Sequence, residues 1–363
     1  MPKRVVSVPR TPGQDNLDLV SHGRRGPSSG LLARPQVDEI ARTVRRTPEV
    51  VVKVSGGGRD AGAAKAHFDY IGRHGKLALE TDDDLTLSGK GVGAELVEDW
   101  NVDLSAGQYR STTVEGAKDT RPKVVHNIVL SMPGRTPPQA VLEAARNFAR
   151  ENFALQYRYA MVLHTDQAHP HVHLVVKAEH EYEPGKRLYI RKATLRRWRE
   201  EFAAHLRGLG VAANATPAPL RGQARTRKKD PIHQRLRSLA EYDRLTAAER
   251  TKRKPPVDSS FMRKKVEAVA HELRVGQLVP EPGKSKLVQT RRVVQDDWLA
   301  AATALRGQGE TQLANEVEAF VRAMPAARTE KEWIAAGLLA QIDAERGRGD
   351  DRPRPEDRPT QGD

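Results

Sequence analysis

The stretch YRYAMVLHTDQAHPHVHLVVKAEH, residues 157–180, constrains the fold of this chain more than any other. Two runs rich in β-branched and aromatic residues, 157–166 and 171–180, flank a QAHP turn. Runs of that length read as strands, and so short a connection makes them antiparallel neighbours. Alternation along a strand sets residues two apart on one face. His171 and His173 therefore project together, while Val172 and Leu174 turn to the other face. His164 closes the preceding run in register with Ala160 and Val162. Pairing the strands brings His164 beside the His171/His173 pair. Three imidazoles converging from two adjacent strands suit an open divalent-metal site that keeps positions for water or substrate. His169 sits in the turn before Pro170 and is less well placed. The competing reading is a set of histidines hydrogen-bonded on a half-buried sheet, and three at this spacing favour the metal.

The rest of the chain supplies elements around that hairpin. PEVVVKVSGGG (48–58) reads as a strand ending in a glycine turn, and AGAAKAHFDYIGRHG (61–75) as a helix closed by Gly75. Residues 76–122 read as a loop-rich insertion with a short helix. VVHNIVLSMP (124–133) is a strand stopped by Pro133, and residues 137–154 a helix entered at proline. RKATLRRWREEFAAHLRGLG (191–210) is amphipathic, with Leu195, Trp198, Phe202, Leu206 and Leu209 at helical spacing. This order predicts an α+β fold, a central antiparallel sheet with helices packed on it, followed by a mainly helical C-terminal region. The expected organisation is a flexible basic arm over 1–45, a folded domain over 46–220, a basic helical region over 221–345 and a disordered tail over 346–363.

Charge narrows the partners. The formal net charge is +14, and residues 221–265 alone hold fifteen Lys/Arg against five Asp/Glu. A basic surface on that scale is the usual electrostatic footprint of nucleic-acid binding. No apolar run approaches the ~20 residues of a membrane span, and the basic N-terminus lacks the apolar core of a secretory signal. With zero cysteines, these features predict a cytoplasmic protein without disulfides, Cys-ligated zinc or thiolate chemistry. SGGGRD (55–60) lacks the spacing of a Walker or dinucleotide loop and reads as a turn.

The motif HTDQAHPHVHLVV resembles the histidine motif of the conjugative relaxases, mobilisation nucleases of the HUH endonuclease superfamily. VVHNIVLSMP with its following helix, and LYIRKATLRRWREEFAAHLRGLGV, are similar to flanking stretches of that family, so the resemblance runs from about residue 48 to 220. It implies a three-histidine metal site of His164, His171 and His173 holding one Mg²⁺ or Mn²⁺. It implies a tyrosine nucleophile N-terminal to the histidines, near a helix after the first strand. Tyr70 fits that position among seven tyrosines; Tyr157 and Tyr159 read as core. Asp166 either orients a histidine, assists deprotonation of the tyrosine, or only caps the turn. His126 is an accessory candidate, though a packed sheet histidine is the plainer reading. Arg196, Arg197 and Arg199 are candidates to grip a DNA backbone together with the 221–265 region.

The implied activity is nicking of single-stranded transfer-origin DNA through a 5′-phosphotyrosine intermediate, with rejoining after mobilisation. The implied partners are a relaxosome accessory protein and a type IV secretion coupling protein. Two alternatives stay open. A rolling-circle replication or transposition endonuclease would place the tyrosine after the histidines and nominate Tyr189. A non-catalytic DNA-binding protein with a structural metal would bind and never nick.

Overall fold

The computed structural model describes residues 31–107, 121–223, 246, 249 and 260–350. Contacts divide the chain into two compact units, Asp38–Thr216 and Met1–Val37 with Pro217–Asp363.

The first unit is an antiparallel sheet of six strands in the order β1-β4-β6-β5-β2-β3. Here β1 is Val51–Gly56, β2 Leu79–Thr81, β3 Thr86–Leu87, β4 Val125–Ser131, β5 Tyr159–His164 and β6 His171–Lys177. The α+β expectation and the β5–β6 pairing are both met. The histidine hairpin lies inside the sheet, with β4 pairing along the whole outer edge of β6.

Strand parity then assigns the two faces. One carries Ile128, Leu130, Tyr159, Met161, Val172, Leu174 and Val176 and is covered by α5 (Pro138–Phe153) and α6 (Lys192–Gly208). Its core is aromatic: Trp198 meets Phe148 and Phe153 edge-on, with ring centroids 5.9 and 5.5 Å away. The Trp198 indole N–H, which burial would otherwise leave unpaired, donates to Asn152 Oδ1 at 2.9 Å.

The other face carries Val125, Ala160, Val162 and Val175, beneath Ala64, Phe68 and Ile71 of α2 (Ala61–Ile71). Asp60 caps α2 by accepting from the Ala63 N–H at 2.8 Å. Gly57 has φ +145°, and a Cβ there would stand 2.2 Å from the Val125 carbonyl oxygen. The glycine run is thus a tight turn pressed against the start of β4, as expected. Beyond α2, helices α3 (Val92–Asp99) and α4 (Val102–Gly107) add Leu96, Val97, Trp100 and Val102 to this layer.

Several boundaries differ from expectation. Helix α1 (Arg34–Val44) occupies the end of the supposed arm, with Ile40 fully buried. Helix α2 stops at Ile71 with Gly72 as its cap, four residues early. Residues 79–87 form two short strands where a loop was expected, and β2 extends the sheet by pairing Glu80 with Met161.

In the second unit lie α7 (Ser260–Arg274), α8 (Lys284–Gly307), α9 (Thr311–Arg322) and α10 (Glu330–Asp350). Trp298 is fully buried and donates its indole N–H to the Leu220 carbonyl at 2.9 Å. Helix α10 runs through 346–350, where a disordered tail was expected. Most of the basic stretch, the first 30 residues, Tyr109, Tyr242 and the last 13 residues lie outside the described residues.

Candidate functional site

His164 pairs with His171 across β5 and β6, and His173 pairs with Val162 one step further along. All three imidazoles share the α2 face, where the apolar cover gives way to polar groups. Their ring centroids lie 4.7–5.2 Å apart. One ring nitrogen of each falls within 4.8 Å of the other two, close to the ~4.2 Å that opposed imidazoles span around a shared cation.

Backbone carbonyls fix two of the tautomers, because a carbonyl oxygen only accepts. His164 Nε2 lies 2.7 Å from the Ile71 carbonyl, so Nε2 carries the proton and Nδ1 the lone pair. His171 Nδ1 lies 3.0 Å from the His169 carbonyl, which leaves Nε2 as its lone-pair nitrogen. His173 has a buried Nδ1 with no hydrogen-bond partner. His169 thus acts through its backbone, as a support for His171. Gly134 seats the same loop, since a Cβ there would come 2.1 Å from the Ala168 carbonyl oxygen, and Ser131 Oγ donates to the Pro170 carbonyl at 3.1 Å.

Burial lowers the pKa of His164, an effect only partly opposed by the Ile71 carbonyl and Asp166 and reinforced by Arg73 and His171. Burial first, then His164, His171, His67 and Arg73, push His173 down to about 3. Both rings are therefore neutral near pH 7, the form in which imidazole ligates a cation. Two carbonyl-supported imidazoles and a third with an unpartnered buried nitrogen make a donor set that fits a divalent metal.

Tyr70 lies in the last turn of α2 and is 57% exposed, whereas its neighbours Phe68 and Ile71 are buried. It is therefore not a packing residue. Tyr157 and Tyr159 are buried in the aromatic core, as expected. Tyr189 is exposed but belongs to the segment that follows the far end of β6.

A residue the sequence reading missed joins these parts. Arg73 stacks on the Tyr70 ring with 5.6 Å from guanidinium carbon to centroid. Its Nη2 donates to Asp166 at 2.5 Å and lies 3.3 Å from His164 Nδ1. Burial raises the Asp166 carboxyl, and the charge and hydrogen bond of Arg73 outweigh that and hold it below its ordinary value. Asp166 thus engages Arg73. His67, one turn before Tyr70, is a second unforeseen neighbour; its ring centroid is 6.4 Å from that of Tyr70. Burial lowers its pKa, and an interaction with the Asn127 side chain partly opposes this.

The remaining candidates lie elsewhere. Arg196, Arg197 and Arg199 are on α6, against the opposite face of the sheet. Arg196 pairs with Glu200 at 3.7 Å and Arg197 with Glu201 at 3.5 Å. His126 is on that face too, beside the Leu188 carbonyl at 3.2 Å. Burial first, then Lys123 and Arg187, bring its pKa down to about 4.

Residues 83–207 match the family model of the relaxase MobA/VirD2-like nuclease domain. Over that span the chain is similar to relaxase nuclease domains. The matched span holds the three histidines and Asp166, and it begins after Tyr70 and Arg73. The chain is also 28% identical over 138 residues to the T-DNA border endonuclease VirD2 of Rhizobium radiobacter, a match covering 35% of this chain and 31% of that protein. The chain thus spans about a third of the length of that relative. Among solved structures, the MobM relaxase domain bound to 26-nucleotide pMV158 oriT DNA is 14% identical, covering 50% of this chain and 97% of that one, with a TM-score of 0.32. A Mn-bound form of the same relaxase domain with pMV158 oriT DNA is 13% identical, covering 52% and 98%, with a TM-score of 0.33. No helix among the described residues is long and apolar enough to cross a membrane.

Proposed function

We propose that the relaxase domain, here residues 46–220, nicks single-stranded DNA at a transfer origin by tyrosine transesterification and later rejoins it. The observation that carries this reading is the meeting, at one end of one sheet face, of three converging imidazoles with an exposed tyrosine, linked by Arg73. His164, His171 and His173 would hold one Mg²⁺ or Mn²⁺. When bound, that cation supplies Lewis-acid polarisation of the scissile phosphate and offsets its developing charge.

The Tyr70 hydroxyl is free to reach a phosphodiester because α2 ends one residue later. Its oxygen attacks phosphorus, the bond from phosphorus to the 3′ oxygen breaks, the phenol proton passes to solvent and the 3′ oxygen takes one up. The product is a 5′-phosphotyrosine and a free 3′-OH. Phenolate is a competent leaving group, so the same residues run the reaction backwards without external energy.

The basic region C-terminal to this domain would add non-specific grip on the strand. Arg196, Arg197 and Arg199 would touch only DNA passing around the α6 side, away from the nicking centre. The conjugative setting implies a cytoplasmic protein that meets an accessory protein and a secretion coupling protein. The test is to incubate the full chain and Mn²⁺ or Mg²⁺ with single-stranded oligonucleotides tiled across the DNA flanking its own gene. A covalent adduct that Tyr70→Phe abolishes supports the reading. An adduct that persists in Tyr70→Phe moves the nucleophile to another tyrosine such as Tyr189. Firm metal binding without any adduct leaves the non-catalytic alternative.

A further inference from the structure

Arg73 is the one cation in direct contact with the histidine cluster among the described residues, and its position conflicts with a bound metal. The Ile71 carbonyl fixes the proton of His164 on Nε2, so the Nδ1 lone pair is the only one that ring offers a cation. That lone pair faces Arg73 Nη2 at 3.3 Å. The same nitrogen is anchored on Asp166 at 2.5 Å, and the guanidinium lies over Tyr70. One lone pair serves one partner, and a guanidinium so close to a divalent ion would repel it.

The backbone holds Arg73 there. Arg73 and His74 both adopt left-handed conformations, with φ 52° and 54°, just after the Gly72 cap. Two consecutive non-glycine residues in that region are uncommon and persist only where the surroundings impose them. The turn is closed by the Leu77 N–H on the Gly72 carbonyl at 2.9 Å and the His74 N–H on the Asp69 carbonyl at 2.7 Å.

We propose that Arg73 occupies the metal's place at His164 until a DNA phosphate draws it away, so that cation and single-stranded DNA load the site together. A phosphodiester offers two oxygens to the guanidinium fork, a better anchor than the single Asp166 contact. Arg73 then leaves His164 Nδ1 free and stays beside Tyr70, on the phosphate that Tyr70 attacks. Because binding coupling is reciprocal, DNA raises metal affinity and metal raises DNA affinity by the same factor. This inference rests on the metal reading of the three histidines and goes beyond it.

The test measures Mn²⁺ affinity by electron paramagnetic resonance of the free ion, in Tyr70→Phe protein so that DNA is not cut. Arg73→Gln and Arg73→Lys are compared with Arg73, each with and without the oligonucleotide that gives adduct with the unmodified chain. Without DNA, both variants should bind Mn²⁺ about fivefold or more tightly than the Arg73 protein. The Lys variant keeps the charge but cannot span Asp166 and His164 at once. DNA should raise the affinity of the Arg73 protein by a factor several times larger than that of either variant, in which the phosphate adds only its own contact with the cation. Equal affinities in all three proteins, or equal enhancement by DNA, overturn the proposal, as does a Lys variant indistinguishable from Arg73. A His171→Ala/His173→Ala protein that binds Mn²⁺ like the unmodified chain instead overturns the metal reading itself.

Discussion

On the α5/α6 face of the sheet, Phe148, Phe153, Trp198 and Phe202 interlock over the strands. On the α2 face the apolar packing ends at Val162, and His173, His164 and His171 take over from it. The same strands build both, since β5 and β6 send alternate residues to each side. The difference lies in what finishes the surface. Helices seal one face throughout, while on the other α2 ends at Tyr70 and Ile71, beside the three histidines. The polar groups there are tolerated because backbone carbonyls of Ile71 and His169 take up their N–H groups. On the proposed function one face stores stability and the other chemistry, and substitutions should separate the two.

Tyr70→Phe should have the largest effect on chemistry. Covalent adduct with single-stranded DNA should vanish on denaturing gels, while the denaturation midpoint moves by no more than about 0.5 kcal/mol, as for an exposed side chain. His173→Ala should weaken Mn²⁺ binding by more than the roughly 10–100-fold typical of losing an outer-sphere support. Unchanged titration calorimetry would remove His173 from the metal site. Phe148→Ala should show the reverse pattern, costing about 3–5 kcal/mol in urea unfolding and leaving the metal affinity of the folded protein intact.

Acid should act on both faces. His126 and His173 have folded pKa values of about 4 and about 3, below the ~6.5 of an unfolded chain. The unfolded state therefore binds protons first as pH falls. Stability from these neutral rings is complete above about pH 6.5 and is lost progressively below it. Urea midpoints from about pH 7 to about pH 5 should fall less steeply in His126→Gln. Mn²⁺ should steepen the His173 contribution alone, since the cation needs that ring unprotonated. The smallest effect belongs to Arg197→Ala, within about 0.5 kcal/mol. Nicking of a short oligonucleotide should not change in that variant, and a large loss would bring the α6 arginines into the nicking centre.

Much of this arrangement was legible from the chain. Two apolar runs and a short turn are enough to state the hairpin, and the period of two assigns His164, His171 and His173 to one face. Strands β2 and β3 were not legible, because at three and two residues they have no pattern of their own. β2 is a strand because β5 offers it an edge. Helix α1 was hidden for a related reason, since it follows a Gly-, Pro-, Ser- and Arg-rich stretch and its Ile40 is buried only by tertiary packing. The arginines of α6 were read as a basic stripe, yet Arg196 and Arg197 pair with glutamates one turn on.

The sequence by itself determined the three histidines, their common face and the helix that bears Tyr70, because these follow from local periodicity. Only the tertiary structure decided which nitrogen of His164 is free and what faces it. That depends on Ile71 and Arg73, 93 and 91 residues away along the chain. Contacts at such separation leave no period in a sequence; they arise when α2 folds across the sheet and its left-handed turn sets Arg73 against His164.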